Sequence, residues 1–496
     1  MKNKKVLMYF NLSFIVFMVG FTIYKMFLPM GGDDYWWHIK AGQYMLSNNT
    51  IPYIDVFSWY GVENNLYWHS HEWLTEVVFG VVHKFLGEHG IYFFILGLAS
   101  LIPALILKIN WNELKKNKFI AIAWGVIGVQ LISNVLSPRP HMISFLLLLL
   151  VVYSLSKFLK DENSKWIWSI PFISVFWANF HGGSSNLPYV LTFLTLILNS
   201  FNFTFYKVEF KKISNSSLMK LFAVTILSIL FIAINPHGFD MIVYPYANMQ
   251  DSFMLSFISE WRSPDLKVSM DFYVYALFLV IGMVFVLTDK KIKGFNFLIT
   301  LAFVYLTCKS VRFGVLLYIV SSFTVFEHMT TFALKEKYTK YLSVLLVALG
   351  IALSQNLLLF NLIVESPILE PISTEMIEAV KSLNADKLYN DYDLGGYLIY
   401  NDIEVFVDSR ADLYTKSNLK DAINLMGLRR TDSSKSSDKL NVDELLNKYD
   451  FDAFIIKVNR PLFVYLSSSD AYELVLEDNN VCLLYTSPSP RDSTSS

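Results

Sequence analysis

Two adjacent carboxylates occur near the start of the chain, where the stretch GGDDYWWHIKAG follows a long apolar run. Asp33 and Asp34 have the chemistry of a general base, of ligands for a hard divalent cation such as Mg²⁺ or Mn²⁺, or of both. Adjacent helical residues point about 100° apart, so one aspartate is able to face a site while the other caps a helix. The neighbouring Tyr35, Trp36 and Trp37 equally suit an ordinary interfacial helix.

Other polar residues cluster at the ends of apolar runs, in SPRPHM, ANFHGG, NPHGF, SEWRSP and KSVR. Ionisable residues at membrane depth are costly, so several clusters on one side favour a shared water-filled cavity. For any single cluster, anchoring of a helix end at the interface is an equally good interpretation. With the first-loop segments DDYWWHIKAG and HEWL, these clusters supply the candidate residues Glu72, His38, Arg139, His141, His181, His237, Glu260, Arg262 and Arg312.

The composition predicts that these residues belong to an integral membrane protein. Of the 496 residues, 54% are hydrophobic and 17% charged, and the mean hydropathy is +0.41. A net charge of −1 gives no basic field that argues for nucleic acid. The two cysteines, Cys308 and Cys482, do not form a disulfide framework.

Eleven apolar runs are long enough to be candidate transmembrane helices, at roughly 20 residues per span. They are 1–28, 90–107, 119–136, 141–158, 166–180, 187–205, 218–235, 271–288, 294–308, 311–330 and 341–363. We assign 71–87 to an interfacial helix, because it is short and carries Glu72, Glu76, His83 and Lys84.

The distribution of basic residues predicts the orientation in a plasma membrane. The basic segment MKNKK places the N-terminus in the cytoplasm. In that orientation six short cytoplasmic segments hold 20 lysines, whereas the outer loops before the last span hold seven basic residues. Eight of the nine histidines then fall outside, and only His328 is cytoplasmic. We therefore expect the chemistry, and everything after residue 363, to be extracytoplasmic.

After residue 365 the composition becomes that of a small α/β domain. EMIEAVKSLN and NVDELLNKY are helix-like, with Asn441 and Glu444 as N-cap and capping-box partner, and YLIYN, EVFVDS and DAFIIKV are strand-like. Asp408 and Arg410 follow a predicted strand, where α/β domains often bind ligands, and they equally fit a structural ion pair.

These patterns predict a mostly helical fold, a polytopic bundle of about 11 transmembrane helices with a small extracytoplasmic domain. The expected divisions are a transmembrane domain, 1–364, with a first outer loop, 29–89, and an α/β domain, 365–485. The tail TSPSPRDSTSS, 486–496, is low in complexity and is expected to be disordered or non-native.

The architecture resembles the GT-C superfamily of membrane glycosyltransferases. Over residues 1 to about 485, the chain is similar to glycosyltransferase-like bacterial membrane proteins in its motifs and their order. These motifs are DDYWWHIKAG, IPYIDVFSW, HEWL, RPHM, NPHG, EWRSP, DLGGYLIY and VFVDSRADLY. No WWDYG-like motif occurs in the C-terminal domain, which counts against an oligosaccharyltransferase.

The resemblance implies transfer of a sugar from a polyprenyl-phosphate-linked donor to a glycan, lipid or protein acceptor of the cell envelope, within membrane lipid. It places the base or metal ligand at Asp33 or Asp34, with Glu72 or Glu260 as a second acid. Arg139, Arg262 and Arg312 are the candidate phosphate partners, and His38, His141, His181 and His237 are candidates to bind phosphate or sugar. A divalent cation, Mg²⁺ or Mn²⁺, is a candidate cofactor.

Two other classes of function use similar residues. A transporter or flippase of a lipid-linked sugar also needs an aqueous cavity with arginines and histidines, although we find no internal repeat of the kind such proteins often contain. A surface polysaccharide polymerase or ligase shares the donor chemistry, and the sequence does not separate it from a transferase.

Overall fold

The computed structural model of the protein describes residues 30–114, 118–248, 261–268, 271–328, 368–414, 417–428 and 441–486. These residues form two compact units. We call the described residues of 31–85 and 368–496 the mixed unit, and those of 1–30 and 86–367 the helical unit. The mixed unit thus joins most of the predicted first outer loop to the C-terminal part of the chain.

The first part of the mixed unit contains helices α1 (Asp34–Asn48) and α2 (Trp59–Glu63) and the beginning of α3 (Trp73–Ile109). Helix α3 is interrupted at Gly87, where φ is 62° and ψ is −160°. Glycine tolerates this positive φ because it has no Cβ. The interruption falls between the predicted interfacial helix, 71–87, and the predicted span, 90–107.

The helical unit continues α3 and is built from further, mostly apolar helices. They are α4 (Trp111–Leu114), α5 (Lys118–Asn134), α6 (His141–Lys160), α7 (Ser169–Phe180), α8 (Leu187–Leu198), α9 (Asn215–Ile232), α10 (Asp240–Asn248), α11 (Phe272–Leu287), α12 (Gly294–Lys309) and α13 (Gly314–His328). A small sheet of β1 (Phe203–Phe205), β2 (Val208–Phe210) and β3 (Ile292–Lys293) pairs β1 antiparallel and β3 parallel to β2.

Nine of the eleven predicted apolar runs fall on these helices, and 1–28 and 341–363 lie outside the described residues. Within the described ranges, four helical segments are long and apolar enough to cross a membrane: Trp73–Ile109, His141–Lys160, Asn215–Ile232 and Val311–His328. Two shorter helices, α11 and α12, are also apolar. The chain is therefore that of a mostly helical membrane protein.

The C-terminal part of the mixed unit surrounds a four-stranded sheet in the order β4–β5–β7–β6. Strand β4 is parallel to β5, and the other two pairs are antiparallel. The elements are α14 (Thr374–Leu383), β4 (Leu388–Asn390), α15 (Gly395–Tyr400), α16 (Ala411–Tyr414), α17 (Leu419–Gly427), α18 (Val442–Tyr449), β5 (Ala453–Lys457), α19 (Pro461–Ser467), β6 (Tyr472–Asp478) and β7 (Val481–Thr486).

Trp59 of the first loop is built into the core of this C-terminal part. Its indole stacks on Phe406 at 5.4 Å between ring centroids, and Nε1 donates to the carbonyl oxygen of Leu388 at 3.0 Å. Ser58 forms a parallel β-bridge with Val405. Buried aromatic rings and backbone hydrogen bonds therefore hold the two distant segments as one folded unit.

Two predicted strands are wrong. The run YLIYN belongs to helix α15, which packs on α1, with Trp36 4.7 Å from the ring of Tyr397 and 5.0 Å from that of Tyr400. EVFVDS contributes only the bridge at Val405. Short apolar runs fit a buried helix and a buried strand equally well, and here tertiary packing decides between them. The helix EMIEAVKSLN, the strand DAFIIKV and the Asn441 cap, which accepts from the N–H of Glu444 at 3.2 Å, are confirmed.

Candidate functional site

Asp33 immediately precedes α1, and its carboxylate is held from one side. Oδ1 accepts a hydrogen bond from the backbone N–H of Gly396, the second residue of α15, at 2.9 Å. Oδ2 is buried and has no hydrogen-bond partner among the described residues. A Cβ on Gly396 would collide with the carbonyl oxygen and the carboxylate of Asp33, so only glycine permits this approach.

The surroundings of Asp33 favour its protonated form. Burial raises the pKa of this carboxyl well above its usual range, and the negative charges of Asp34 and Asp408 raise it further. The Ser409 hydroxyl and the Gly396 N–H oppose this effect without reversing it. A raised pKa makes the ionised carboxylate a stronger base, which acts only where the pH is high enough to ionise it.

Ser409 is fixed beside Asp33 by two aromatic side chains. The indole Nε1 of Trp37 donates to the Ser409 hydroxyl at 3.0 Å, and the Tyr392 hydroxyl donates to the Ser409 carbonyl oxygen at 3.2 Å. Trp37 lies one turn into α1, so the same helix presents both Asp33 and the residue that orients its neighbour. Trp37 therefore contributes a hydrogen bond to the site as well as aromatic surface.

Arg410 is the centre of a buried ion cluster. Its guanidinium donates from Nη1 to Asp55 at 2.7 Å, from Nε and Nη2 to Asp408 at 2.9 and 2.7 Å, and from Nη2 to Tyr414 at 3.0 Å. The guanidinium carbon also lies 4.7 Å from the ring centroid of Trp68. Burial disfavours the charge, but the carboxylates of Asp408 and Asp55 outweigh it and raise the pKa of Arg410.

This cluster links the first loop to the C-terminal segment. Arg410 is 2% exposed, and Asp408 and Asp55 are 0% and 2% exposed. Breaking a buried, hydrogen-bonded ion pair leaves an uncompensated charge and is strongly destabilising. The geometry of Asp408 and Arg410 is therefore that of the structural ion pair, one of the two interpretations that the sequence leaves open.

His38, Glu72 and Glu76 meet where α1 passes the start of α3. His38 Nε2 lies 3.7 Å from a Glu72 carboxylate oxygen, and Nδ1 lies 3.5 Å from one of Glu76. One ligand atom from each of the three residues lies within 4.8 Å of the others, a geometry able to hold a metal ion. His38 and Glu76 are each 1% exposed.

His71 provides a further partner for Glu72. Its Nε2 lies 3.5 Å from the Glu72 carboxylate, and its Nδ1 lies 3.1 Å from the carbonyl oxygen of His69. Burial lowers the pKa of His71, but the charge of Glu72 and its hydrogen bond outweigh this and raise the pKa to about 9. At neutral pH the His71 imidazole is therefore cationic beside the Glu72 carboxylate.

The helical unit contains a separate polar cluster around His181. The Nδ1 of His181 lies 2.6 Å from the Ser144 hydroxyl and 3.1 Å from that of Ser184, and the Trp177 indole donates to both hydroxyls at 2.9 and 3.0 Å. His181 is 8% exposed. These bonds fix the imidazole where α7 ends, beside α6.

The other predicted residues of the helical unit have these surroundings. Arg262 binds Asp271 in a bidentate ion pair at 2.5 and 2.9 Å. The guanidinium of Arg312 lies 5.3 Å from the Trp261 ring. His141 Nε2 lies 3.0 Å from the Val135 carbonyl oxygen, His237 is buried, and Arg139 is half-buried. Glu260 lies outside the described residues.

Four residues of the mixed unit sites are missing from the candidates that the sequence suggests: Glu76, Asp55, Gly396 and Ser409. Glu76 has a usable signal, because it follows Glu72 by four residues in a helix-like run and so shares its face. Gly396 has none, since it lies 363 positions from Asp33 in the sequence. A contact between residues so far apart in the sequence produces no local pattern from which it could be predicted.

Comparisons with known proteins identify the fold. Neither models of protein families nor curated proteins give a match. Among solved structures, the chain is similar to the archaeal oligosaccharyltransferase AglB from Archaeoglobus fulgidus in complex with an inhibitory peptide and a dolichol-phosphate. The identity is 10% and the TM-score 0.52, and the alignment covers 92% of this chain and 70% of that one.

A second similar structure is ArnT from Cupriavidus metallidurans in the apo state. The identity is 11% and the TM-score 0.50, over 97% of each chain. Both proteins are GT-C glycosyltransferases. The chain therefore has the GT-C fold, and the resemblance drawn from the sequence is confirmed at the level of the fold.

Proposed function

We propose that the protein is a membrane glycosyltransferase that moves a sugar from a polyprenyl-phosphate-linked donor to a cell-envelope acceptor, with Asp33 as general base. The GT-C fold and the dolichol-phosphate bound to AglB support the class of donor. The observation that carries the role of Asp33 is its carboxylate: Oδ1 accepts from the Gly396 N–H, and Oδ2 is buried with no hydrogen-bond partner among the described residues.

The proposed reaction is a displacement at the anomeric carbon of the donor sugar. Asp33 takes the proton of the acceptor hydroxyl, and the acceptor oxygen forms a bond to that carbon. The bond between the carbon and the phosphate oxygen breaks, and its electron pair leaves with the polyprenyl phosphate. Protonated Asp33 then returns its proton to solvent.

The predicted arginines Arg139, Arg262 and Arg312, all in the helical unit, remain proposed phosphate ligands, because guanidinium groups bind phosphate oxygens in bidentate geometry. Arg262 and Arg410 also make bidentate contacts to carboxylates. His141, His181 and His237 stay predicted contacts to phosphate or sugar.

The test compares membranes that contain the wild type, Asp33→Asn, Asp34→Asn or Asp470→Asn, supplied with radiolabelled polyprenyl-phosphate sugars. We expect Asp33→Asn to lower product formation roughly 10²–10⁴-fold, the usual effect of losing a general base. Asp470 is exposed and far along the sequence from the site, so Asp470→Asn is the matched control and keeps full activity. Product in lipid and polymer fractions is measured at equal protein abundance.

Equal product from the wild type and Asp33→Asn contradicts the assignment of the base. Labelled donor that crosses the membrane without conversion, in every variant, supports the transporter instead. The fate of the label therefore separates the two classes of function independently of the variant.

A further inference from the structure

We propose that His38, Glu72 and Glu76 form a binding site for one divalent transition-metal ion, of the class of Mn²⁺ or Zn²⁺. This site is distinct from the Asp33 carboxylate and does not depend on the proposed transfer reaction. All three residues lie in the first part of the mixed unit, on α1 and at the start of α3.

Two glycines bring the ligand-bearing helices together. A Cβ on Gly42 would collide with the backbone carbonyl of Glu76, and a Cβ on Gly80 would lie 2.8 Å from the carbonyl carbon of Gly42. The backbones of α1 and α3 therefore touch at this crossing, which larger residues would prevent.

The positions of the ligands follow from the same crossing. His38 precedes Gly42 by four residues and Glu76 precedes Gly80 by four, so each lies one turn before the contact on the same face of its helix. Glu72 lies a further turn back, and its carbonyl oxygen accepts from the Glu76 N–H at 3.1 Å. Two rigid helices in backbone contact thus fix all three side chains.

The polar groups of this site are poorly satisfied by the protein itself. The His38 ring is 1% exposed, its Nδ1 has no hydrogen-bond partner among the described residues, and both of its carboxylate contacts exceed hydrogen-bond length. Glu76 is equally buried and accepts from the Ser70 hydroxyl at 3.2 Å. The buried Glu76 carboxylate needs a compensating cation, because an isolated buried charge is very costly, whereas Glu72 is 12% exposed and already lies against His71.

The ligand set indicates the kind of ion. An imidazole with two carboxylates suits Mn²⁺, Fe²⁺ or Zn²⁺ better than Ca²⁺ or Mg²⁺, which prefer oxygen ligands alone. One ligand atom of each residue lies within 4.8 Å of the others, and metal–ligand bonds of about 2.0–2.2 Å would draw these atoms closer together around an ion. Three protein ligands leave at least one position for water or another ligand.

Second-layer contacts of the expected type surround the site. The Ser70 hydroxyl donates to Glu76, and the His71 imidazole lies against Glu72. Such partners orient ligating carboxylates and commonly change metal affinity 10–100-fold when they are removed. The competing explanation is that the three side chains contact one another directly without any ion.

The test uses the full chain purified in detergent without a polyhistidine tag, stripped with EDTA and titrated with Mn²⁺ or Zn²⁺. We expect about one ion per chain by elemental analysis, and a Tm that rises on metal addition, because ligand binding stabilises the folded state. His38→Gln and Glu76→Gln should weaken binding at least about 10-fold, the range that second-layer changes already reach. His89→Gln and Glu375→Gln, at exposed positions, are the matched controls.

X-ray absorption of the bound metal in the wild type identifies the ligands without relying on any variant. One imidazole nitrogen with carboxylate oxygens supports the proposal, whereas sulfur or several imidazoles overturns it. Absence of stoichiometric uptake by the wild type overturns it as well.

Asp33→Asn separates this proposal from the proposed transfer reaction. It should lower product formation roughly 10²–10⁴-fold and keep the ion, whereas a loss of the metal in Asp33→Asn would place the ion at the aspartate pair instead. Metal uptake by a wild type that has no transferase activity would support the site and contradict only the proposed function.

Discussion

Asp33 and Asp34 are neighbours in the sequence with different surroundings in the fold. Asp33 lies outside α1 and meets the Gly396 N–H, whereas Asp34 is the first residue of the helix, near the positive end of its dipole. The sequence predicts a general base or a metal ligand in this pair but does not indicate which of the two aspartates it is. The contact of Asp33 with a segment more than 350 residues later is the reason that we propose Asp33.

Asp34→Asn should move the acidic limb of the pH–activity profile to lower pH. The Asp34 charge is the second largest cause of the raised Asp33 pKa, so its removal lowers that pKa and ionises the base at lower pH. The measurement is kcat/KM against pH for transfer to the acceptor, with Asp470→Asn as control. An unchanged limb would show that a different group titrates in this range.

Asp33→Asn should raise protein stability at neutral pH even though it removes the base. The folded-state pKa of Asp33 lies above its unfolded value, so the native state holds the proton more tightly and stability falls as pH rises between the two values. Asparagine cannot ionise and avoids this cost. Its apparent Tm should exceed that of the wild type at pH 8, and the difference should shrink as the pH approaches 4.

The opposite trend contradicts this prediction. A deficit in the Tm of Asp33→Asn that is the same at all pH values would mean that the carboxylate contributes packing or hydrogen bonds only. Removing the carboxylate would then give no gain in stability to offset the loss of activity, unlike the trade-off that functional sites often show.

At the scale of elements, helix α15 is the connection between the C-terminal segment and the site. Its apolar run predicts a strand by composition, yet it forms a helix whose aromatic residues pack on Trp36 of α1. Local composition is ambiguous for so short an element, and the partner that resolves the ambiguity is distant in sequence. The long helices were predictable because 20 apolar residues have few alternatives.

Gly396→Ala should reduce transfer without unfolding the protein. The added methyl group would lie 2.7 Å from the Asp33 carboxylate oxygen and closer still to its carbonyl oxygen, so α15 and Asp33 must separate. A displacement of about 1 Å in a catalytic group can cost on the order of 10²-fold in rate. The measurement is kcat in membranes with equal protein content.

Gly282→Ala is the matched control for this change. Gly282 lies within α11, and a Cβ there meets no described atom within 4 Å. Its activity should equal that of the wild type. Full activity of Gly396→Ala would show that the Asp33 carboxylate does not need the backbone contact of α15.

At the scale of the whole molecule, the sequence predicts a mostly helical membrane protein and the positions of most long helices, but not which segments fold together. The contacts that join the first loop to the C-terminal segment link residues about 350 positions apart, as in Asp55 with Arg410 and Trp59 with Phe406. Residues that appear unremarkable in their local sequence, such as Ser409, acquire their role from these contacts. Sequence periodicity indicates the type of one element at a time. The pairing of distant elements is seen only in the three-dimensional structure.

The shared core has a consequence for membrane topology. Because residues 31–85 and 368–486 belong to one compact unit, we expect both segments to lie on the same side of the membrane. The lysine distribution predicts that this side is outside. Single cysteines replacing the exposed Glu63 or Glu473, in a background without Cys308 and Cys482, should therefore both react with a membrane-impermeant maleimide in intact cells.

Lys211→Cys is the matched control, since Lys211 is exposed and lies in a predicted cytoplasmic segment. It should react only after the cells are permeabilised. Labelling at one of the two mixed-unit positions but not at the other would contradict the single folded unit. Labelling at neither before permeabilisation, together with labelling of Lys211→Cys in intact cells, would keep the unit and reverse the predicted orientation, and the acceptor would then have to be cytoplasmic.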